Sequence, residues 1–414
     1  MLTGSELVRG DRKDLNGPYL AQSLLSLGFQ PAELRIVGDV PADIERAFRD
    51  GLGFELVISS GGLGPTHDDR SVELLASVAG RPLVLDPSLE AEIGARSRAF
   101  ADRMKRPYAD FADGVRKQAT IPEGATVVGL VGTAPALVVE LGDCVAVMLP
   151  GPPRELQPLW DSALATEPVR RLAAQARPAE RRVMRFYGVG ESQVAQALAA
   201  AGGDGEGVEM TICARESELH VDLFVEPGAG PRGDALEAAF LEPIEQYLFS
   251  RAEAPVEELV LERCRARGWT LATAESCTGG LVSARLTSIP GSSDVFVGGI
   301  VSYSNAVKEA ELGVPAETLA EFGAVSAQTA SAMALGARQR LEADLAVSIT
   351  GIAGPGGGSP EKPVGLVYLC VSGPAGETAR DFVVSGDRET VRRRAAIAAL
   401  HLLLEAAGET DTEM

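Results

Sequence analysis

Of the 38 basic side chains in this 414-residue chain, only Lys13, Lys105, Lys117, Lys308 and Lys362 are lysines. Arginine keeps its proton inside a protein, whereas a partly buried lysine can release it, so a lysine on this background is a candidate for amine chemistry. Lys308 follows the apolar run VFVGGIVSYS, which carries Tyr303 near its end, and burial there would push the amine towards neutrality. Just upstream, IPGSS sets Ser292 and Ser293 in a turn between a helix and that run. A Ser-Lys arrangement follows, with Ser293 as nucleophile and Lys308 as general base. Taken alone, the two serines read as ordinary turn residues, and spacing by itself does not decide between the readings. A Ser-His-Asp triad is disfavoured, because beyond residue 253 the one histidine is His401, inside the helical pattern AAIAALHLLLEAA where a histidine packs or meets solvent. Cys277 is a rival nucleophile, being at a helix start that lowers a thiol pKa, but it too lacks a histidine to take and return a proton.

Two loops in the same region suit a substrate. ATAESCTGG, residues 272–280, places Ser276, Cys277 and Thr278 before two glycines at a strand-to-helix junction, where backbone amides favour an anion. SITGIAGPGGGSPEKPVG, residues 348–365, carries Thr350, Gly351 and Gly354 and is glycine-rich enough for its amides to converge on a phosphate or an oxyanion. Near the front of the chain, SSGGLGPTHDDRS at 59–71 runs from a strand through glycines to Thr66, His67, Asp68 and Asp69. Glycines admit a pyrophosphate close to the backbone, and Asp68 with Asp69 could carry a divalent metal bridging to it. The competing reading is a helix N-cap supplied by one of the two aspartates. Glu6, Lys117, Thr133 and Arg154 mark other loops that would face the same cleft.

The elements that position these residues are α/β in character. From Leu34 to about Pro150, short apolar strands (LRIVGDV, ELVISS, TVVGLV, ALVVEL, CVAVMLP) alternate with helices near 42–51 and 70–79. The first strand, before GSEL, reads as cut short. A small α+β module covers about 181–250, with its last helix expected from Ala235 to Phe249, and the arginine-rich PVRRLAAQARPAERR before it reads as a linker. A second alternating unit follows, ending in a long helix from Arg388 to Glu405. The expected fold is therefore two α/β domains with mainly parallel sheets, residues 1–165 and 253–414, flanking a small α+β domain at 166–252. Ligands in such folds sit at the C-terminal ends of the strands.

Bulk properties narrow the function. A net charge of −20 opposes contact with phosphate backbones, so no direct nucleic-acid partner is expected. No apolar run is long enough for a membrane span and no signal peptide is visible, so a cytoplasmic location and no membrane partner are expected. Five widely spaced cysteines without a CxxC pair form neither a disulfide framework nor a zinc site.

Taken together, the motifs resemble the CinA family over nearly the whole chain. GSEL, SGGLGPTHDD, KQA, GTAP and LPGPPREL resemble its molybdopterin-binding-type domain, which implies metal-dependent ADP-ribose pyrophosphatase activity. TAESCTGG, PGSS, VSYSNAVK, GAVS, SITGIAGPGGG, EKPVG and SGDR resemble its nicotinamide mononucleotide deamidase domain. The resemblance there implies hydrolysis of the ring carboxamide to nicotinate mononucleotide and ammonia, without a cofactor. It puts the nucleophile on Ser293, the lysine on Lys308 and an assisting tyrosine on Tyr303, with Ser276, Thr350, Gly351 and Gly354 in the substrate pocket. Arg388, or nearby Arg392, would take the substrate phosphate. Family members are often dimers, so a homodimer is expected. The rival reading keeps the first two domains as a nucleotide- or partner-binding module linked to competence or DNA damage.

Overall fold

The computed structural model describes residues 1–408, which fall into two compact units, Met1–Ala179 and the chain from Glu180 onward. The first unit holds β1 (Leu2–Thr3), β2 (Ile36–Val37), β3 (Leu56–Ser60), the ribbon strands β4 (Leu83–Leu85) and β5 (Thr120–Pro122), and β6 (Thr126–Leu130), β7 (Pro135–Leu141) and β8 (Cys144–Leu149). Its main sheet runs β2-β1-β3-β8-β7-β6. The first four of these strands are parallel, and β7 and β6 close one side antiparallel. Side chains alternate across the sheet: Ala146 and Met148 of β8 join a core with Phe48, Leu74 and Ile93, while Val145, Val147 and Leu149 join another with Trp160 and Leu20. Both faces are thus covered, which explains the near-continuous apolar runs of β7 and β8.

β1 is two residues long and lies between β2 and β3, with the Met1 amine donating to the Ile58 carbonyl at 2.7 Å. Burial pushes that amine down to about 6. The expected linker is partly a helix, Glu167–Gln175, because Pro168 and Val169 on its first turn are buried against the first unit.

In the second unit, β9 (Glu180–Tyr187), β10 (Val208–Arg215), β11 (Glu218–Val225) and β12 (Leu248–Ser250) form an antiparallel sheet ordered β10-β11-β9-β12. The helix expected from Ala235 to Phe249 spans Gly230–Leu241 instead. Pro243 cannot continue the helical ladder, and the chain passes through a short 3-10 turn into β12.

The remainder is a five-stranded sheet of β13 (Leu271–Glu275), β14 (Phe296–Val301), β15 (Leu345–Gly351), β16 (Leu366–Gly373) and β17 (Gly376–Val383), ordered β14-β13-β15-β16-β17. β14, β13 and β15 are parallel, and β16 and β17 are antiparallel. The chain is α/β as expected, with the parallel strands forming one side of each large sheet. Leu345, Val347 and Ile349 face the core built on helices Val256–Arg267 and Arg388–Ala407, while Ala272, Ala274 and Ala346 face helix Ala327–Arg340. That helix packs closely enough on helix Asn305–Leu312 that a Cβ on Gly336 would lie 1.8 Å from the Leu312 carbonyl oxygen. Among the described residues no helix is long and apolar enough to cross a membrane.

Candidate active site

β13 ends at Glu275, and the chain then turns through Ser276, Cys277 and Thr278 into two left-handed glycines, Gly279 (φ 63°) and Gly280 (φ 99°). Only glycine takes this backbone cheaply. The turn is locked by the fully buried Glu275 carboxylate, which accepts from the amides of Gly280 (2.9 Å), Val282 (3.2 Å) and Ser283 (2.9 Å) and from the Ser283 hydroxyl (2.7 Å). Four donors satisfy the charge that burial would otherwise penalise. The Ser276 amide donates to the Ile349 carbonyl at 2.9 Å, tying the turn to β15.

Lys308 enters from helix Asn305–Leu312, whose N-cap is the Ser304 side chain. It is 1% exposed, and its amine lies 3.0 Å from the Ser276 hydroxyl and 2.6 Å from the Ser302 carbonyl. Burial holds its pKa below the usual lysine value. A neutral amine here donates to the Ser302 carbonyl and accepts the Ser276 hydroxyl proton, which is the geometry of a nucleophile beside its base. Cys277 is buried, and burial pushes its thiol up to about 11, the opposite of what a thiolate nucleophile needs.

The structure separates Ser293 from Lys308. Ser293 is exposed in the turn Ser292–Asp294 before β14, and Lys308 follows that strand's other end, so the strand's six residues at about 3.3 Å each set the two about 20 Å apart along the sheet. No hydrogen bond joins them; within one chain, the lysine's serine partner is Ser276. Tyr303 is 63% exposed and its hydroxyl accepts from Arg388 at 2.9 Å. Arg388 also donates to the Gly354 carbonyl at 2.8 Å, and Arg392 donates to the Thr278 carbonyl at 2.9 Å. Both arginines thereby link the start of the last helix to the two glycine-bearing loops. Thr350 is buried and its hydroxyl donates to the Ala324 carbonyl at 2.6 Å. Gly351 sits beside Cys277, where a Cβ would come within 3.2 Å of the sulfur and 2.7 Å of the Leu366 carbonyl. Lys362, one of the five lysines but given no role by the sequence, pins the 352–365 loop by donating to the carbonyls of Phe322 and Val325, both at 2.7 Å. His401 is remote in role: it is buried, stacks on Tyr187 at 3.7 Å and meets Glu218 at 2.7 Å.

The first unit has its own cleft of about 880 Å³, lined by Glu6, Gly62, Asp68, Asp69, Thr133 and Arg154 among others. Gln118 lines it in place of the expected Lys117. Asp69 accepts from the Thr66 amide at 3.0 Å and from the Thr66 hydroxyl at 2.5 Å, and Asp68 also meets that hydroxyl. Neither aspartate caps the following helix, Ser71–Val78, so the N-cap reading fails. Lys117 donates to the Thr66 carbonyl. Among the described residues no cluster of three or more ligating side chains could hold a metal. Two carboxylates alone fit a Mg²⁺-like ion bound chiefly through substrate phosphates.

Comparison with known proteins bears on both sites. The family described as "CinA C-terminal domain" matches residues 253–407, and "Probable molybdopterin binding domain" matches residues 1–169. A CinA-like protein of Mycolicibacterium vanbaalenii is 43% identical over 98% of this chain and 97% of its own length. The chain belongs to the CinA family. A CinA-like protein of Mycobacterium tuberculosis is 42% identical over 97% of this chain and 95% of its own. The solved structure of the competence/damage inducible protein CihA from Agrobacterium tumefaciens is 44% identical, covers 39% of this chain and 99% of its own, and has a TM-score of 0.36. In this CinA-family chain the Ser276–Lys308 pair lies inside the segment matched as the C-terminal domain, and the Asp68/Asp69 cleft inside the segment matched at the front.

Proposed function

We propose that residues 253–414 form a serine-lysine amidohydrolase that converts nicotinamide mononucleotide and water to nicotinate mononucleotide and ammonia. The observation that carries this reading is the buried Lys308 amine 3.0 Å from the Ser276 hydroxyl. Ser276 Oγ attacks the carboxamide carbon as its proton passes to Lys308 Nζ. The protonated amine then gives that proton to the departing nitrogen, and ammonia leaves an ester on Ser276. Water, deprotonated by the neutral amine, cleaves the ester and regenerates the serine. Arg388 and Arg392, beside the glycine loops, suit the substrate phosphate. No cofactor enters these steps. Incubation with nicotinamide mononucleotide tests the reading: nicotinate mononucleotide and ammonia should appear in equal amounts, and their absence would overturn it.

A second activity is favoured by the separate cleft at Asp68 and Asp69, which suits metal-assisted hydrolysis of ADP-ribose. The ion, held by both carboxylates and the pyrophosphate, would supply charge neutralisation. Products from ADP-ribose with and without Mg²⁺ or Mn²⁺ test it. If none forms with either metal, this domain is a binding module. Both substrates are soluble nucleotides, which fits a cytoplasmic protein, and the −20 charge argues against direct DNA contact.

A further inference from the structure

The β10–β11 hairpin ends in a two-residue turn, Glu216–Ser217, closed by the pair Arg215 and Glu218. Both turn residues are left-handed (φ 51° and 75°), where hairpins of this length ordinarily carry asparagine and glycine. Such a backbone persists only where its surroundings over-determine it. Here two carboxylates of the hairpin tip are anchored. Glu216 meets Arg285 at 2.8 Å, and the buried Glu218 meets the buried His401 at 2.7 Å. Their partners are fixed in turn: Arg285 is held by the buried Glu257 at 2.9 Å, and His401 is stacked on Tyr187. Arg285 Nε is buried without a hydrogen-bond partner among the described residues, so the guanidinium depends on Glu216 and Glu257 for compensation.

Neither contact touches the candidate active site, but the two helices they grip do. Arg285 is on helix Leu281–Thr287, and the Val282 and Ser283 amides at the start of that helix donate to the Glu275 carboxylate, next to Ser276. His401 is on helix Arg388–Ala407, whose first turns place Arg392 on the Thr278 carbonyl and Arg388 on the Gly354 carbonyl. The two helices pack on each other. One hairpin tip therefore grips both helices away from the ends that hold the Ser276–Gly280 turn. Close-packed interiors have low compressibility and transmit such constraints. Ser276 and Lys308 stand on different elements, so their 3.0 Å contact depends on where that turn is held.

We propose that this hairpin is a remote positioning element for amide hydrolysis: Glu216 and Glu218 clamp helices Leu281–Thr287 and Arg388–Ala407 and thereby fix Ser276 against Lys308. Arg285 and His401 are the positioning residues through which the clamp acts. The small α+β module is then a working part of the hydrolase rather than a spacer. The link to turnover rests on the amidohydrolase reading, and the link to the order of the turn does not.

Glu216→Ala combined with Glu218→Ala in the full chain removes both grips. Its kcat on nicotinamide mononucleotide should fall at least about tenfold, the scale on which a small misplacement of reacting groups acts, while KM stays within about twofold. A contact that only stabilised the fold would lower the melting temperature and leave kcat unchanged wherever the variant is folded. Hydrogen exchange reads the same link without turnover: the amides of Gly280, Val282 and Ser283 should lose protection about tenfold or more, while those of Ala346–Ile349 in β15 keep theirs. Wild-type kcat in the folded double variant, unchanged exchange at Gly280–Ser283, or an equal loss of protection in β15 overturns the clamp. If the double variant does not fold, Arg285→Lys decides: it keeps the charge but cannot bridge two carboxylates, and it should lower both kcat and the protection of the same amides. A wild-type value of either in that variant overturns the clamp. A wild type that makes no nicotinate mononucleotide fails the amidohydrolase reading instead and leaves the exchange results to judge the clamp.

Discussion

Two lysines stand near the two strand-end sites, and burial lowers the pKa of both. Their surroundings differ. Against the burial of Lys117, the charges of Asp69, Asp68 and Glu73 pull its pKa back up. Among the described residues Lys308 meets the Ser276 hydroxyl and the Ser302 carbonyl, and against its burial stands the nearby Cys277 rather than a carboxylate. A lysine answered by carboxylates stays a cation, suited to a phosphate or to ordering a loop. A lysine desolvated without a counter-charge is suited to be a base. The first-unit cleft is lined by carboxylates already hydrogen-bonded to Thr66, whereas the Ser276–Lys308 pair brings a hydroxyl directly to an amine.

Loss of the proposed nucleophile is expected to have the largest effect. Ser276→Ala should reduce nicotinamide mononucleotide turnover by about 10³-fold or more while substrate binding persists, read by single-turnover kinetics and by binding in the mutant. Unchanged turnover would move the nucleophile elsewhere. In the other region, Asp69→Asn should remove ADP-ribose hydrolysis, by about 10²-fold or more if the metal is lost, and leave amide hydrolysis at the wild-type rate. A parallel fall in both activities would mean that the substitution damages the fold rather than one site.

Lys308 was legible in the sequence because it stands on an arginine background after an apolar strand. The serine it meets in the structure is not the expected one, for a reason of geometry. Ser293 is nearer in sequence, but a strand lies between them and carries the two apart. Ser276 is 32 positions away, yet β13 and β14 are parallel, so the residues following each strand meet at one end of the sheet. The alternation of strands with a helix between them already implied that parallel pairing. The helical pattern of the small module continues past Pro243, but the proline ends the helix before it. Tertiary burial of Val169 turned the supposed linker into a helix, and that burial has no signature in an arginine-rich segment.

Two smaller effects sharpen the contrast between catalytic and structural groups. Burial opposes ionisation of Glu218, but hydrogen bonds from His220 and His401 outweigh it and hold the carboxyl at about 2. A depressed carboxyl stabilises the fold above its unfolded value near 4.5 and loses that contribution as pH falls towards 2. Burial also lowers the pKa of His401, so its charging in the unfolded chain works in the same direction. Thermal melts between pH 7 and 3 should show about 2 kcal/mol of this loss, and His401→Phe should flatten the acid limb. An equally steep limb in that variant would assign the acid sensitivity to other groups. The smallest effect belongs to Cys277→Ala, which should keep turnover within about threefold of wild type, since the thiol is buried and pushed up to about 11. Inactivation by this substitution, with the fold intact, would favour a thiol mechanism.

The most direct test is the pH dependence of turnover, measured for the wild type and for Lys308→Arg. A neutral amine acting as base requires kcat to rise through an apparent pKa well below lysine's usual value of about 10.4. Lys308→Arg keeps the charge but cannot release a proton, so that limb should vanish and turnover should fall by at least about 10²-fold. Near-wild-type turnover in the arginine variant, with the same limb in its profile, would contradict the assignment of Lys308 as the base that activates Ser276.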